Sequence, residues 1–143
     1  MTVYLLDENV LRELTPSGHV RARAWVATVS DADLRISVLT LFEKRRGAER
    51  LRKTDTDRAQ TLLAALDRLE EIYAERIVPI NAAVAAEWAR LLGAKDKNQR
   101  DRALAATARI HGLVLVTRNI ADMRGCNVDV LDPFTAKPKV QRV

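Results

Sequence analysis

Leu113-Val114-Leu115-Val116 is the stretch that most narrows the fold, four apolar residues in a row between Gly112 and the polar run Thr117-Arg118-Asn119. A strand that faces water on one side alternates polar and apolar residues. One with no polar position is central in its sheet and covered on both faces. Val3-Tyr4-Leu5-Leu6, Leu34-Arg35-Ile36, Ile77-Val78-Pro79-Ile80 and Val128-Asp129-Val130-Leu131 read as four further short strands, with Pro79 pushing the third of these toward a sheet edge. The segments between them have helical spacing. Val10–Leu14 reads as a turn or two stopped by Thr15-Pro16-Ser17-Gly18, and Val20–Val29 as a helix that turns Trp25 to the core. Ser37 caps a helix with Leu39, Phe42 and Glu43 inward; Asp57–Arg76 carries the stripe Leu62, Leu66, Leu69 and Tyr73. Asn81 caps a helix with Val84, Trp88, Leu91 and Leu92 inward, and Asp101–His111 is a last helix closed by Gly112. Strands alternating with helices imply an α/β domain with a mostly parallel sheet of about five strands.

The 143 residues suffice for one domain, here residues 1–134, followed by a basic tail, 135–143, expected to be loosely ordered. A single cysteine, Cys126, excludes an internal disulfide, and one Cys with two His excludes the usual zinc sites. The N-terminus lacks the marks of a secretory signal, and no apolar run is long enough to cross a bilayer, so a soluble cytoplasmic protein with no membrane partner is expected. With 24 Lys and Arg against 19 Asp and Glu, the net charge is +5. That balance favours an anionic partner such as nucleic acid.

Four acids hold the clue to chemistry. Asp7 follows the first strand, where open α/β sheets place their ligands. Glu43 lies on or beside an apolar helical stripe, Asp101 starts the helix that feeds the Leu113 strand, and Asp122 follows that strand's end. Each has an ordinary reading taken singly: Asp7 and Asp101 as helix caps, Glu43 as one half of an ion pair. Parallel topology, however, brings them to one rim of the sheet. Two carboxylates about 4 Å apart repel by roughly 4 kcal/mol at an effective dielectric near 20, so a divalent cation, Mg²⁺ or Mn²⁺, is the economical companion. Lys44-Arg45-Arg46, Arg50, Arg52 and Lys53 follow Glu43 closely; they read either as a solvated helix face or as phosphate contacts. An acidic pocket ringed by Lys and Arg suits phosphodiester cleavage at a metal, hence a nuclease.

Five motifs in order resemble the PIN-domain ribonucleases, specifically the VapC toxins and their FitB-like relatives. They are Leu5-Leu6-Asp7-x-Asn9-Val10, Thr40-x-x-Glu43-x-x-x-Gly47, Asp101 before Ala105-Ala106-Thr107-Ala108, Leu115-Val116-Thr117-Arg118-Asn119-x-x-Asp122-Met123, and Val130-Leu131-Asp132-Pro133-Phe134. The resemblance implies a three-layer α/β/α fold and Mg²⁺- or Mn²⁺-dependent endoribonuclease activity on tRNA or rRNA. It also implies homodimerisation and inhibition by a VapB-like antitoxin encoded alongside. Asp7, Glu43 and Asp101 match the family's acidic triad and Asp122 its fourth acid, with Asn119 and Thr117 in support. This chain departs from the family in having Glu8 where a Thr is frequent and the neutral Asn119 where relatives carry an Asp ligand. On this reading Asp7, Asp101 and Asp122 hold the metal, Glu43 orients or deprotonates water or helps a second ion, and Arg118, Arg100 and Arg102 contact phosphate. The rival reading is a catalytically inactive module that binds nucleic acid or an antitoxin. A phospho-receiver domain is a poorer match, because it takes its acids and a lysine from strand ends and none from a helix start.

Overall fold

The computed structural model describes residues 1–143. Six strands form one sheet: β1 (Tyr4–Leu6), β2 (Leu34–Ser37), β3 (Ile77–Val78), β4 (Val114–Val116), β5 (Asp129–Leu131) and β6 (Gln141–Arg142). Their order is β3-β2-β1-β4-β5-β6, parallel throughout except for the antiparallel β5–β6 pair. The helices are α1 (Glu8–Leu11), α2 (Val20–Val26), α3 (Val38–Leu51), α4 (Thr56–Tyr73), α5 (Ala82–Leu92) and α6 (Gln99–His111).

Side-chain alternation along the strands divides the core into two apolar layers. Leu6, Ile36, Val114 and Val116 face Val10, Trp25, Leu41 and Tyr73 from α1, α2, α3 and α4. Leu5, Leu115 and Val130 face Leu104, Ala105 and Ala108 of α6 on the other side. The result is the three-layer α/β/α sandwich that an uninterrupted apolar β4 demands. Alanines at 105 and 108, both buried, let α6 lie close on the sheet, and Gly112 ends it at φ 65°, a left-handed conformation that favours glycine. No helix is long and apolar enough to cross a membrane.

Several local expectations shift. The buried residues of α3 are Thr40, Leu41 and Ala48, whereas Phe42 is 57% exposed. Leu39, Phe42 and Glu43 are spaced as well for burial as Leu41 and Ala48 are, and packing against α4 selects the second set. In α5 only Val84 is fully buried, because this helix packs along α6; Trp88 lies part-way out and its Nε1 donates to the Gln99 carbonyl at 2.9 Å. The tail does not hang loose. Val128 and Val143 exchange two backbone hydrogen bonds at 3.1 Å, and the Arg142 guanidinium grips Asp129 at 2.8 and 3.1 Å, so residues 141–142 form β6. The basic run after Glu43 is partly spent on ion pairs: Arg45 with Asp67 and Glu70, Arg52 with Glu49.

The central strand sets the stability of both layers. Leu115→Ala should cost about 3 kcal/mol, within the usual range for a fully buried leucine, read as a lowered urea midpoint at unchanged slope. A loss under about 1 kcal/mol would show that β4 is not the packed centre of the sheet.

Candidate active site

Chain connections leave β1 toward β2 on one side, while β4 joins on the other, so a crevice opens at the carboxyl ends of β1 and β4. Asp7 is the first residue past β1 and Thr117 the first past β4. They meet across this crevice, the Thr117 hydroxyl donating to Asp7 Oδ2 at 2.8 Å. Asp7 is fully buried and also caps α1 by accepting from the Glu8 backbone N–H at 2.7 Å. The capping and site readings of Asp7 are therefore compatible. Asn9 ties the two strand ends further, its amide donating to Asp7 at 3.3 Å and to Thr117 at 3.4 Å, and its Oδ1 accepting from the Arg118 backbone N–H at 3.2 Å.

Glu43 comes to this crevice from α3 and Asp101 from the first turn of α6, which runs antiparallel to β4. What joins the three acids is a cation. Arg100 donates from Nη2 to Asp7 at 2.5 Å, from Nε to Glu43 at 2.7 Å and from Nη1 to Asp101 at 3.3 Å. Burial alone would lower the Arg100 pKa, but its bonds to Asp7 and then Glu43 more than reverse this and hold it above the usual arginine range. Asp101 goes the other way for a carboxyl. Burial first, then the charge of Asp7, push it above the usual aspartate range, against the opposing pull of Arg100; Asp122 adds to the rise.

Asp7, Glu8, Asn9, Arg12, Glu43, Lys44, Arg100 and Asn119 line a cleft of about 310 Å³ with no apolar residue in its wall. Glu8, the extra acid beside Asp7, is neutralised by Lys44 at 3.0 Å. Asp122 lies exposed in a helical turn, Ile120–Met123, near enough for its charge to act on Asp101 but outside the Arg100 cluster. Asn119 is on the cleft wall. Arg118 stacks over the Phe134 ring at 4.0 Å, and Arg102 turns away to Cys126 Sγ and the Arg124 carbonyl. Arg12 is the one cleft residue that the sequence does not single out; Asn9 belongs to the first motif and Lys44 to the basic run after Glu43. Asn9 has a visible signal, its place two residues after Asp7. Arg12, exposed at the C-terminal end of α1, has none.

The donor set fits a hard divalent cation in kind, being carboxylate oxygen with amide and hydroxyl support, and it already surrounds one positive charge. Spread around a guanidinium, the acids do not converge on a single point as they would on an ion.

A parallel sheet with this order and carboxylates gathered at its crevice defines a PIN-type domain, and the PIN domain family model matches residues 4–121. The chain belongs to the PIN-domain family, on its VapC and FitB toxin branch. It is 31% identical over 140 residues to Toxin FitB of Neisseria gonorrhoeae, covering 91% of this chain and 97% of that one. To VapC ribonuclease Y4jK of Sinorhizobium fredii it is 27% identical, covering 91% and 96%. Among solved structures, the crystal structure of FitAcB from Neisseria gonorrhoeae superposes with a TM-score of 0.79 at 29% identity, covering 92% of this chain and 99% of that one. A toxin–antitoxin complex from Klebsiella pneumoniae aligns with a TM-score of 0.62 at 26% identity, covering 91% and 97%.

A carboxyl whose pKa is higher folded than unfolded binds its proton more tightly when folded, so its contribution to stability is lost as pH rises through the raised value. Asp101→Asn removes that loss. In EDTA the variant should melt above the parent at neutral pH, and the gap should close below the ordinary aspartate pKa of about 3.9. A gap of equal size at both ends of a pH series of melting curves would contradict the account.

Proposed function

We propose that this chain is a divalent-metal-dependent endoribonuclease and the toxin half of a type II toxin–antitoxin pair, acting on structured RNA such as tRNA or rRNA. The observation that carries the reading is the meeting of Asp7, Glu43 and Asp101, from three distant segments, at the crevice of a PIN fold. Membership of a family that includes a VapC ribonuclease supports it.

Asp7 and Asp101, with Asp122 directly or through water, would hold Mg²⁺ or Mn²⁺. A bound divalent ion supplies Lewis-acid polarisation of the scissile phosphate and neutralises its charge. Glu43 stands at the cleft wall, partly exposed, where its carboxylate orients the attacking water and accepts its proton. Thr117 and Asn9 keep the Asp7 carboxylate in one orientation, and Asn119 adds a neutral polar group beside it. Arg118 is exposed at the rim, its plane braced by Phe134, in a position to meet a phosphate oxygen, whereas Arg102, bonded to Cys126 Sγ and the Arg124 carbonyl, is turned away from the cleft and is left out of the phosphate contacts.

The partner side of the reading has its own support. An apolar groove of about 510 Å³, walled by Leu11, Leu14, Leu62, Leu66, Leu69 and Ile72, runs beside the cleft, and Arg12 and Lys44 line both. An antitoxin segment laid in the groove would reach the cleft directly. Val38 and Phe42, exposed on α3, supply apolar surface for a homodimer. The alternative, a binding module without catalysis, draws on Arg100, whose guanidinium already bonds Asp7, Glu43 and Asp101.

Purified protein should cut total cellular RNA into discrete fragments with Mg²⁺ or Mn²⁺. Cleavage should fall at least about a hundredfold with EDTA or in Asp7→Asn. RNA left intact in every metal by folded wild-type protein would leave only the binding module. Ile72→Asp should weaken inhibition by a co-expressed VapB-like antitoxin by at least about tenfold while leaving cleavage unchanged. Undiminished inhibition would remove the groove from the interface.

A further inference from the structure

Asp7 has no free acceptor site. Its Oδ1 takes the Glu8 backbone N–H and Arg100 Nη2, and its Oδ2 takes the Thr117 hydroxyl and the Asn9 amide. An ionised carboxylate has about four lone-pair sites, so an ion that ligates Asp7 must displace one of these four donors. Three of them are held in place. The Glu8 N–H is main chain at the start of α1, the Thr117 side chain is fully buried at the end of β4, and Asn9 is tied as well to Thr117 and to the Arg118 backbone.

The fourth is different. Arg100 stands on a long side chain that is 31% exposed, and its fork reaches Asp7, Glu43 and Asp101 together. A positive charge in the first turn of a helix is opposed by the helix dipole, so the three acids alone hold it inward. A guanidinium is also far wider than a divalent ion, which is why the acids ring it without converging on a point.

We propose that Arg100 is a built-in competitor for the divalent cation, filling the carboxylate cluster in the metal-free chain and swinging out to the cleft rim when an ion enters. The proposal rests on the metal-dependent reading above. It adds a device that lies within this chain's own sequence, an internal cation that stabilises the acids in the absence of metal and weakens metal binding by the pairs that must break. Swung out, the same guanidinium stands at the mouth of the cleft, where a phosphate of the substrate arrives. A single side chain thereby serves as counterion before metal entry and as anion contact after it.

The test is Mn²⁺ affinity, followed by the electron paramagnetic resonance of the free ion, in wild type, Arg100→Gln, Arg100→Lys and the double variant Asp7→Asn/Arg100→Gln. Arg100→Gln should bind Mn²⁺ at least about tenfold more tightly than wild type, with Arg100→Lys between them, and the double variant should lose the gain. In melting curves, Arg100→Gln should be less stable than wild type in EDTA and should gain more from added Mn²⁺. Equal or weaker Mn²⁺ affinity in Arg100→Gln would overturn Arg100 as a competitor and leave the nuclease reading standing. Failure of wild type and Arg100→Gln alike to bind Mn²⁺ at millimolar concentration would overturn both. Arg100→Lys keeps a positive charge in the cluster and so reports even where the glutamine variant folds poorly.

Discussion

A carboxylate buried at the end of a parallel strand is tolerated only when its lone pairs are all satisfied, and the way Asp7 meets that demand organises the molecule around it. One bond starts α1, one crosses to β4, one locks Asn9 between the two strand ends, and one draws in the first turn of α6. Three separate parts of the chain, residues 7–9, Arg100 and Thr117, are thereby brought to one point. The crevice between β1 and β4 exists because the sheet reverses its order there. Asp7 turns this topological opening into a polar site with defined walls.

Charge balance is the second constraint. The cleft wall carries Asp7, Glu8 and Glu43 against Arg12, Lys44 and Arg100, and the acids are matched within the chain itself. Glu8 looks in sequence like a surplus charge beside Asp7 that should disturb a metal site. Lys44, one residue past Glu43 on α3, removes that surplus. The net positive charge of the whole chain thus conceals a locally neutral cleft, with unpaired cations such as Arg118 left at its rim. Such a surface attracts a polyanion broadly while keeping the acids together, as the proposed nuclease site requires.

Relatedness and physics agree on the fold for different reasons. The PIN-family match rests on residues 4–121, whereas the antiparallel β6 lies beyond it and is made by backbone pairing of the last residues with Val128 and Asp129. That edge strand covers the open side of β5, which would otherwise present unpaired N–H and C=O groups to any passing chain. Arg142 adds charge at the same edge. The tail is therefore part of the domain's protection.

The strands were legible because the local pattern leaves no alternative: four unbroken apolar residues at 113–116 must be buried on both faces, and the caps Ser37 and Asn81 name their helix starts. Asp7, Glu43 and Asp101 could be placed near one rim from topology alone, since strand ends and helix starts are readable along the chain. Which residues of α3 turn inward was not, because two sets share the helical period and only α4 decides between Leu41 and Phe42. The role of Arg100 was also out of reach. In sequence it is a basic residue beside Asp101, equally suited to solvent, to phosphate or to an ion pair. Its direction depends on Asp7 and Glu43, which lie 93 and 57 positions away and meet it only after the sheet has formed. Local sequence determines which residue types stand at strand ends and helix starts, since backbone geometry and burial are nearest-neighbour matters. The partners of each charge are a long-range matter, and the tertiary structure alone decided them.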